Sequence, residues 1–304
     1  MNDISRRPPE LGLDPDSATA STLHGRAIFL LASPATGAER LLAALGCFPS
    51  VAAAPVPTHM FSVGIHRILE HWWIENGPQA LSGLTTNQEF LLNVRLLADE
   101  PLAAYRASSG AERVVEYSAD HPAHADEIAG LYPDGHLIHV VRDGRQVATR
   151  LASPMWGWAP RYAAKRWIDD QKSILEAEDH PLLVVRIEDL VREPREVLAA
   201  LAPHLDLEAP PDVLERAAEA VGAARHLPEI PPGRAAAIVE IVGSDLLRRY
   251  DYDGRRAPAA QWAGGWGEMM ASGSVGVGRR IGAEVKPHVT KAARTAARAL
   301  RRHG

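Results

Sequence analysis

Four apolar runs of strand length constrain this chain more than any other feature: "RAIFLLAS" (26–33), "RVVEYS" (113–118), "HLIHVV" (136–141) and "LLVVRI" (182–187). Their side chains are apolar in succession rather than in alternation, so both faces of each strand require cover, as in a parallel sheet. Helical sequence follows each run, including "FSVGIHRILEHWW", "NQEFLLNVRLLADEPLAAY", "HADEIAGLY" and "RYAAKRWIDDQKSILEAE". The alternation predicts an α/β fold: a doubly wound parallel sheet of about four to five strands flanked by helices. "REPREVLAALAPHL", "PDVLERAAEAV" and "GRAAAIVEIVGSDLLRRY" then predict a helical C-terminal portion.

A chain of 304 residues with 46% hydrophobic content can fill one large α/β core. Its first 25 residues are polar, carry prolines and lack the apolar centre of a signal peptide, so residues 1–25 read as a disordered lead-in to a domain spanning 26–255. The single cysteine, Cys47, rules out an intrachain disulfide and a cysteine-rich metal site and agrees with a reducing, cytoplasmic setting. No apolar run reaches the roughly 20 residues of a membrane-spanning helix.

Residues 256–304 read as a linker and a basic tail. They hold nine Arg or Lys against Glu268 and Glu284, a surplus of seven in a chain of net charge −5, which leaves residues 1–255 at −12. An acidic body argues against a general nucleic-acid binder. After Pro287, Val289, Ala292, Ala293, Ala296 and Leu300 fall on one helical face, with Lys291, Arg294, Arg298, Arg301 and Arg302 on the other. That pattern predicts peripheral contact with an anionic membrane at its inner face; docking on the acidic body of the same chain is the alternative.

Ligands of an open parallel sheet collect beyond the carboxyl ends of its strands. After the first strand comes the loop Ser33 to Glu39, after the second Asp120 and His121, after the third "RDGRQVATR" (142–150), and after the fourth Glu188-Asp189. In the first of these, Ser33-Pro34 breaks the strand, Gly37 turns the chain and leucines 41, 42 and 45 open a helix, an order that suits phosphate. Yet no Gly-Lys-Ser/Thr is present, so a nucleoside-triphosphate loop with magnesium does not fit. The third segment offers Arg142, a glycine that lets the backbone turn, and Thr149 and Arg150 farther along the helix, a fork for phosphate. The alternative there is an Arg142–Asp143 turn pair with solvated arginines. Glu188-Asp189 reads as a helix cap or a partner of Arg186 or Arg192, and the tryptophans of "HWW", "MWGW" and Trp167 as core or pocket wall.

Taken together, "FLLASPATGAERLL", "PTHMF" (57–61), "EYSADH" (116–121), "LYPDGHLIHVVRDGRQVATRL" (131–151), "RW" (166–167) and "VVRIEDLVREP" (184–194) resemble the PAPS-dependent sulfotransferases in order and spacing. The resemblance implies the doubly wound sheet already read from the strands. It also implies transfer of a sulfuryl group from 3′-phosphoadenosine 5′-phosphosulfate to a hydroxyl or amine of a small-molecule, glycan or lipid acceptor, without a metal. A catalytically inactive binding module of the same fold is the alternative.

Residue by residue, the resemblance implies a 5′-phosphosulfate cradle of Ser33, Pro34, Thr36 and Gly37. Pro34 and Gly37 match the family loop, Thr36 replaces its serine, Ala35 stands at its basic position, and Ala38 and Glu39 replace two hydroxyl residues. A carboxylate about 4 Å from a phosphate would cost on the order of 4 kcal/mol at an effective dielectric near 20. A helix dipole supplies only about 0.3 to 1 kcal/mol, so the cradle requires Glu39 to turn outward or to pair with a cation such as Arg40. Arg142 matches the family's 3′-phosphate arginine, with Thr149 or Arg150 beside it. For the base, the resemblance implies His121 first and His59 second, imidazoles that titrate near neutrality.

Overall fold

The computed structural model describes residues 12–71, 85–153, 155–177, 180–222 and 244–252. In chain order the elements are α1 (Pro15–Ala18), β1 (Ala27–Leu31), α2 (Ala38–Leu45), β2 (Val51–Ala53), a π-helix (Phe61–Ile65) running into α3 (His66–His71), and α4 (Asn87–Ser108). Then follow β3 (Arg113–Ser118), a 3₁₀ turn (His121–His124), α5 (Ala125–Leu131), β4 (His136–Val141), α6 (Gly144–Leu151), α7 (Pro160–Glu176), β5 (Leu182–Arg186), α8 (Ile187–Arg192) and α9 (Pro194–Leu201). A second 3₁₀ turn (Ala202–Leu205), α10 (Pro211–Ala220) and α11 (Ser244–Arg249) complete the described elements. The chain divides into two units, one of residues 1–142 with 168–228, the other of 143–167 with 229–304.

The first unit holds a five-stranded sheet of order β2-β3-β1-β4-β5, every pair parallel. All four apolar runs are strands. The added strand β2 has only Val51–Ala53, too short to show a pattern in sequence. Central β1 is buried along its whole length, and its side chains alternate between two cores as the pleat dictates. Ile28 and Leu30 join Leu41, Leu45, Ile138, Val140, Leu190 and Leu198 on one face. Phe29 and Leu31 join Phe61, Leu91, Val114, Ile128 and Leu137 on the other.

The disordered lead-in does not hold over residues 12–25. Leu13, Ala18 and Leu23 are each at most 3% exposed, because their apolar side chains complete the second core, and Leu13 N–H donates to Gly130 O at 2.8 Å. The C-terminal portion is helical where described, with α8, α9 and α10 in the first unit and α11 in the second. Trp72, Trp73, "GRAAAIVEIV" (233–242) and the whole tail 256–304 lie outside the described residues. Among the described residues, no helix is long and apolar enough to cross a membrane.

Candidate functional site

Beyond β1 the chain turns sharply within four residues. Ala35 takes φ 65° and Gly37 φ 101°, and Thr36 N–H closes the turn on Ser33 O at 3.2 Å. Gly37 is the N-cap of α2 and offers no side-chain cap; Arg40 N–H turns back to Gly37 O at 3.0 Å, and the N–H groups of Ala38 and Glu39 are left for solvent or a ligand. A side chain at Gly37 would sit at positive φ with its Cβ 3.4 Å from Ile187 Cγ1, so glycine keeps this end of the helix open. Glu39 is exposed to solvent. Arg40 points away, donating from Nη1 to Val221 O at 2.6 Å.

Two buried polar groups hold this loop. Arg142, at the end of β4 and 5% exposed, donates from Nη1 to Ala35 O at 3.2 Å. Behind the loop, His139 Nε2 contacts Gln171 Oε1 at 2.9 Å and Gln171 Nε2 donates to Ser33 Oγ at 3.4 Å, all three groups being buried. The carboxyl end of β4 is thus tied to the carboxyl end of β1 through its loop.

The end of β3 carries a second cluster. Glu116, 1% exposed, accepts at Oε1 from Thr58 N–H at 2.8 Å and Thr58 Oγ1–H at 2.7 Å. Its Oε2 lies 3.2 Å from His121 Nε2, an ionic contact without hydrogen-bond alignment. Burial pushes the Glu116 carboxyl up, but the contact and charge of His121 and the two Thr58 donors outweigh it and hold the group below its ordinary value. His121 is 2% exposed, with Nδ1 3.2 Å from Leu30 O and 3.4 Å from Ser118 N, and its ring meets Phe29 and Phe61 edge-on. His59 is its opposite: its side chain is 50% exposed, and Nδ1 lies 3.4 Å from both Ser118 Oγ and Asp120 Oδ2. Its backbone sits at φ 53°, a conformation that costs a non-glycine residue about 1 to 2 kcal/mol. Ser33, Pro34, Thr36, Gly37 and Arg142 therefore meet around one loop, and His59 and His121 meet around Ser118.

In the second unit, Asp143 caps α6 and holds Arg145 through its Nε at 2.9 Å and its backbone N–H at 2.9 Å. Asp143 thus pairs with Arg145. Gly144 does not serve a turn. A Cβ there would lie 2.7 Å from the Trp167 ring, so glycine is required for close packing of helix against indole. Trp167 is fully buried. Thr149 Oγ1 is buried without a hydrogen-bond partner, and Arg150 is exposed. After β5, Asp189 pairs with Arg192 at 2.7 Å and approaches Arg186 at 3.8 Å, a structural arrangement.

Glu116, Thr58, Asp120, His139 and Gln171 had no assigned role in the sequence. A glutamate on the inward face of the apolar run "RVVEYS" and a histidine within "HLIHVV" were the available signals, since buried charged and polar groups require partners. Those partners come from distant segments and carry no pattern of their own.

An all-parallel sheet whose central strand ends in a sharp turn into a helix N-terminus is the architecture of the first unit. The sulfotransferase family profile matches residues 28–211, more than half of the chain. The protein belongs to the sulfotransferase family. Among solved structures, the sulfotransferase domain from the curacin biosynthetic pathway is similar at 17% identity and TM-score 0.50, covering 76% of this chain and 99% of that one. The sulfotransferase domain of the Synechococcus PCC 7002 olefin synthase matches at 21% identity and TM-score 0.49, covering 82% and 98%. Sulfotransferase STF9 from Mycobacterium avium matches at 14% identity and TM-score 0.48, covering 79% and 81%. No curated protein matches the chain by sequence.

Proposed function

We propose that the protein transfers a sulfuryl group from 3′-phosphoadenosine 5′-phosphosulfate to a hydroxyl or amine of an acceptor. The observation that carries this reading is the loop 33–37, which ends at an uncapped helix N-terminus and is fastened by the buried guanidinium of Arg142. The residues suit such a donor. Glu39 faces solvent, so its repulsion is screened, and the backbone of Ser33, Pro34, Thr36 and Gly37 surrounds the helix end where an anion is favoured. Arg142 is the residue for the 3′-phosphate; Thr149 and Arg150 are candidates beside it by their place in the sequence.

His59 serves as the base and His121 as a positioning residue. With Asp120 and Ser118 beside Nδ1, the His59 proton resides there and Nε2 is left to accept the proton of the acceptor. His121 faces Glu116 with Nε2, and Glu116 in turn fixes Thr58, the residue before His59. Val56 and Val63, at 67% and 75% exposure, border the His59 segment in sequence and suit an acceptor with an apolar part. Sulfuryl transfer to a panel of alcohols and amines tests the assignment. His59→Ala is expected to lower kcat by about 10²-fold or more while 3′-phosphoadenosine 5′-phosphate binds unchanged; unaltered kcat would remove the role.

A second reading rests on Ala35 and Arg40. The family's basic loop position holds an alanine, and the nearest arginine in sequence is directed to Val221 O, which suits a nucleotide-binding module without transfer. Tight nucleotide binding with no transfer to any acceptor would favour it.

A further inference from the structure

A cluster separate from the loop and from His59 brings three ligand-type side chains onto one point. His66 opens α3 where the π-helix ends, His124 closes the 3₁₀ turn after β3, and Glu127 lies in the first turn of α5. Glu127 Oε1 is 2.6 Å from His66 Nδ1 and its Oε2 is 3.1 Å from His124 Nδ1. The two imidazoles face each other with centroids 4.7 Å apart, and one ligand atom from each of the three residues falls within 4.8 Å of the others. The His124 and Glu127 side chains are 11% and 12% exposed, whereas that of His66 is 34% exposed.

We propose that His66, His124 and Glu127 form a binding site for a divalent first-row transition ion of the zinc class, with water as the fourth ligand. Two imidazole nitrogens and one carboxylate match the donor set such ions prefer, and three protein ligands are too few and too nitrogen-rich for calcium or magnesium. Bonds of about 2.0 to 2.2 Å in a tetrahedron place neighbouring ligand atoms about 3.4 Å apart. The two Glu127 contacts, at 2.6 and 3.1 Å, already approach that spacing, so binding exchanges two hydrogen bonds for metal bonds. His124 and Glu127 stand three residues apart on one turn, and the half-exposed His66 supplies both the third ligand and the path of entry.

The ion takes no part in sulfuryl transfer. Its place is structural: it clips the segment 59–71, which begins with His59, to the segment 121–131, which begins with His121. Binding of this kind adds stability to the folded form in proportion to its affinity.

Tag-free, full-length protein stripped with chelator is titrated with Zn²⁺ by calorimetry and with Co²⁺ by visible absorption. One equivalent is expected to bind, with a ligand-field band of a low-coordinate site for Co²⁺ and a rise in Tm with Zn²⁺. His66→Ala and Glu127→Gln are each expected to weaken binding by at least about tenfold, with the melting curve of the metal-free protein retained for His66→Ala. Absence of saturable binding to the wild type overturns the proposal, as does unchanged binding in His66→Ala. The wild-type titration decides the matter even where Glu127→Gln fails to fold.

Discussion

The two edges of the sheet in the first unit use the same kinds of residue to opposite ends. At the amino edge, Arg95 is fully buried, donates to Asp134 through both Nη1 and Nη2, reaches Leu131 O at 3.2 Å and lies 4.7 Å over the Tyr132 ring. Tyr132 and Ser21 donate to Asp99, and Gly25 N–H donates to Asp134 at 2.6 Å. At the carboxyl edge, Arg142 fastens a loop carbonyl, Ala35 and His59 stand at positive φ, and a half-exposed imidazole faces solvent. The first arrangement spends its arginine on carboxylates and locks α4 to the approach of β4. The second holds strained backbone around an open helix end, the kind of strain that clusters at functional sites.

Substitutions separate the two edges by what they change, and the largest effect is expected at the amino edge. Arg95→Ala leaves Asp134 and Asp99 without their guanidinium, with only His24 Nδ1 beside Asp134 at 2.9 Å, and a broken buried pair costs about 3 to 5 kcal/mol in urea unfolding. A smaller loss would mean that this edge is not the anchor. Next comes Glu116→Gln, which removes the charge joining Thr58 to His121 and is expected to cost about 1.5 to 3 kcal/mol.

It is also expected to flatten the acid limb of stability. Burial raises the Glu116 and Asp134 carboxyls, but for Glu116 the contact and charge of His121 with the Thr58 donors, and for Asp134 the hydrogen bonds of Arg95 and Gly25 N–H, bring both below their ordinary values. The unfolded chain therefore binds more protons than the folded one in that range. Their stabilisation is present above about pH 4.3 and is lost as pH falls through the folded values. Asp99, raised by burial, acts in the opposite sense. Chemical denaturation between pH 3 and 6 on the wild type, Glu116→Gln and Asp134→Asn measures the contribution of each edge.

The smallest effect carries the opposite sign. Ala35→Gly relieves the left-handed conformation and is expected to add about 0.5 to 1 kcal/mol, after the entropy of the extra glycine. Destabilisation there would show that the loop is not strained.

The sheet was legible because burial on both faces leaves a local trace, an unbroken apolar run. Residues 113–118 and 136–141 are strands with the boundaries read from sequence. β2 was not legible, since three residues carry no period, and neither was the packing of residues 12–25, which depends on a distant core. At the site, the loop, Arg142 and both histidines were visible as residue types at strand ends. Their difference was not: His121 is buried against Glu116 and His59 is exposed because of where the segment 57–61 crosses the end of β3, a tertiary fact. Gly144 taught the same lesson, its requirement arising from an indole 23 positions away.

The central claim is that the carboxyl edge holds a 3′-phosphorylated adenine nucleotide through Arg142 and the loop beside it. Calorimetric titration with 3′-phosphoadenosine 5′-phosphate and with AMP, on the wild type and on Arg142→Ala, measures it directly. The wild type is expected to prefer the 3′-phosphorylated nucleotide. Arg142→Ala is expected to lose about 1.5 to 3 kcal/mol of that binding, at least about tenfold, with a smaller loss for AMP through the loosened loop. Equal affinities of the wild type for the two nucleotides, or an Arg142→Ala protein that binds both as the wild type does, would contradict the account.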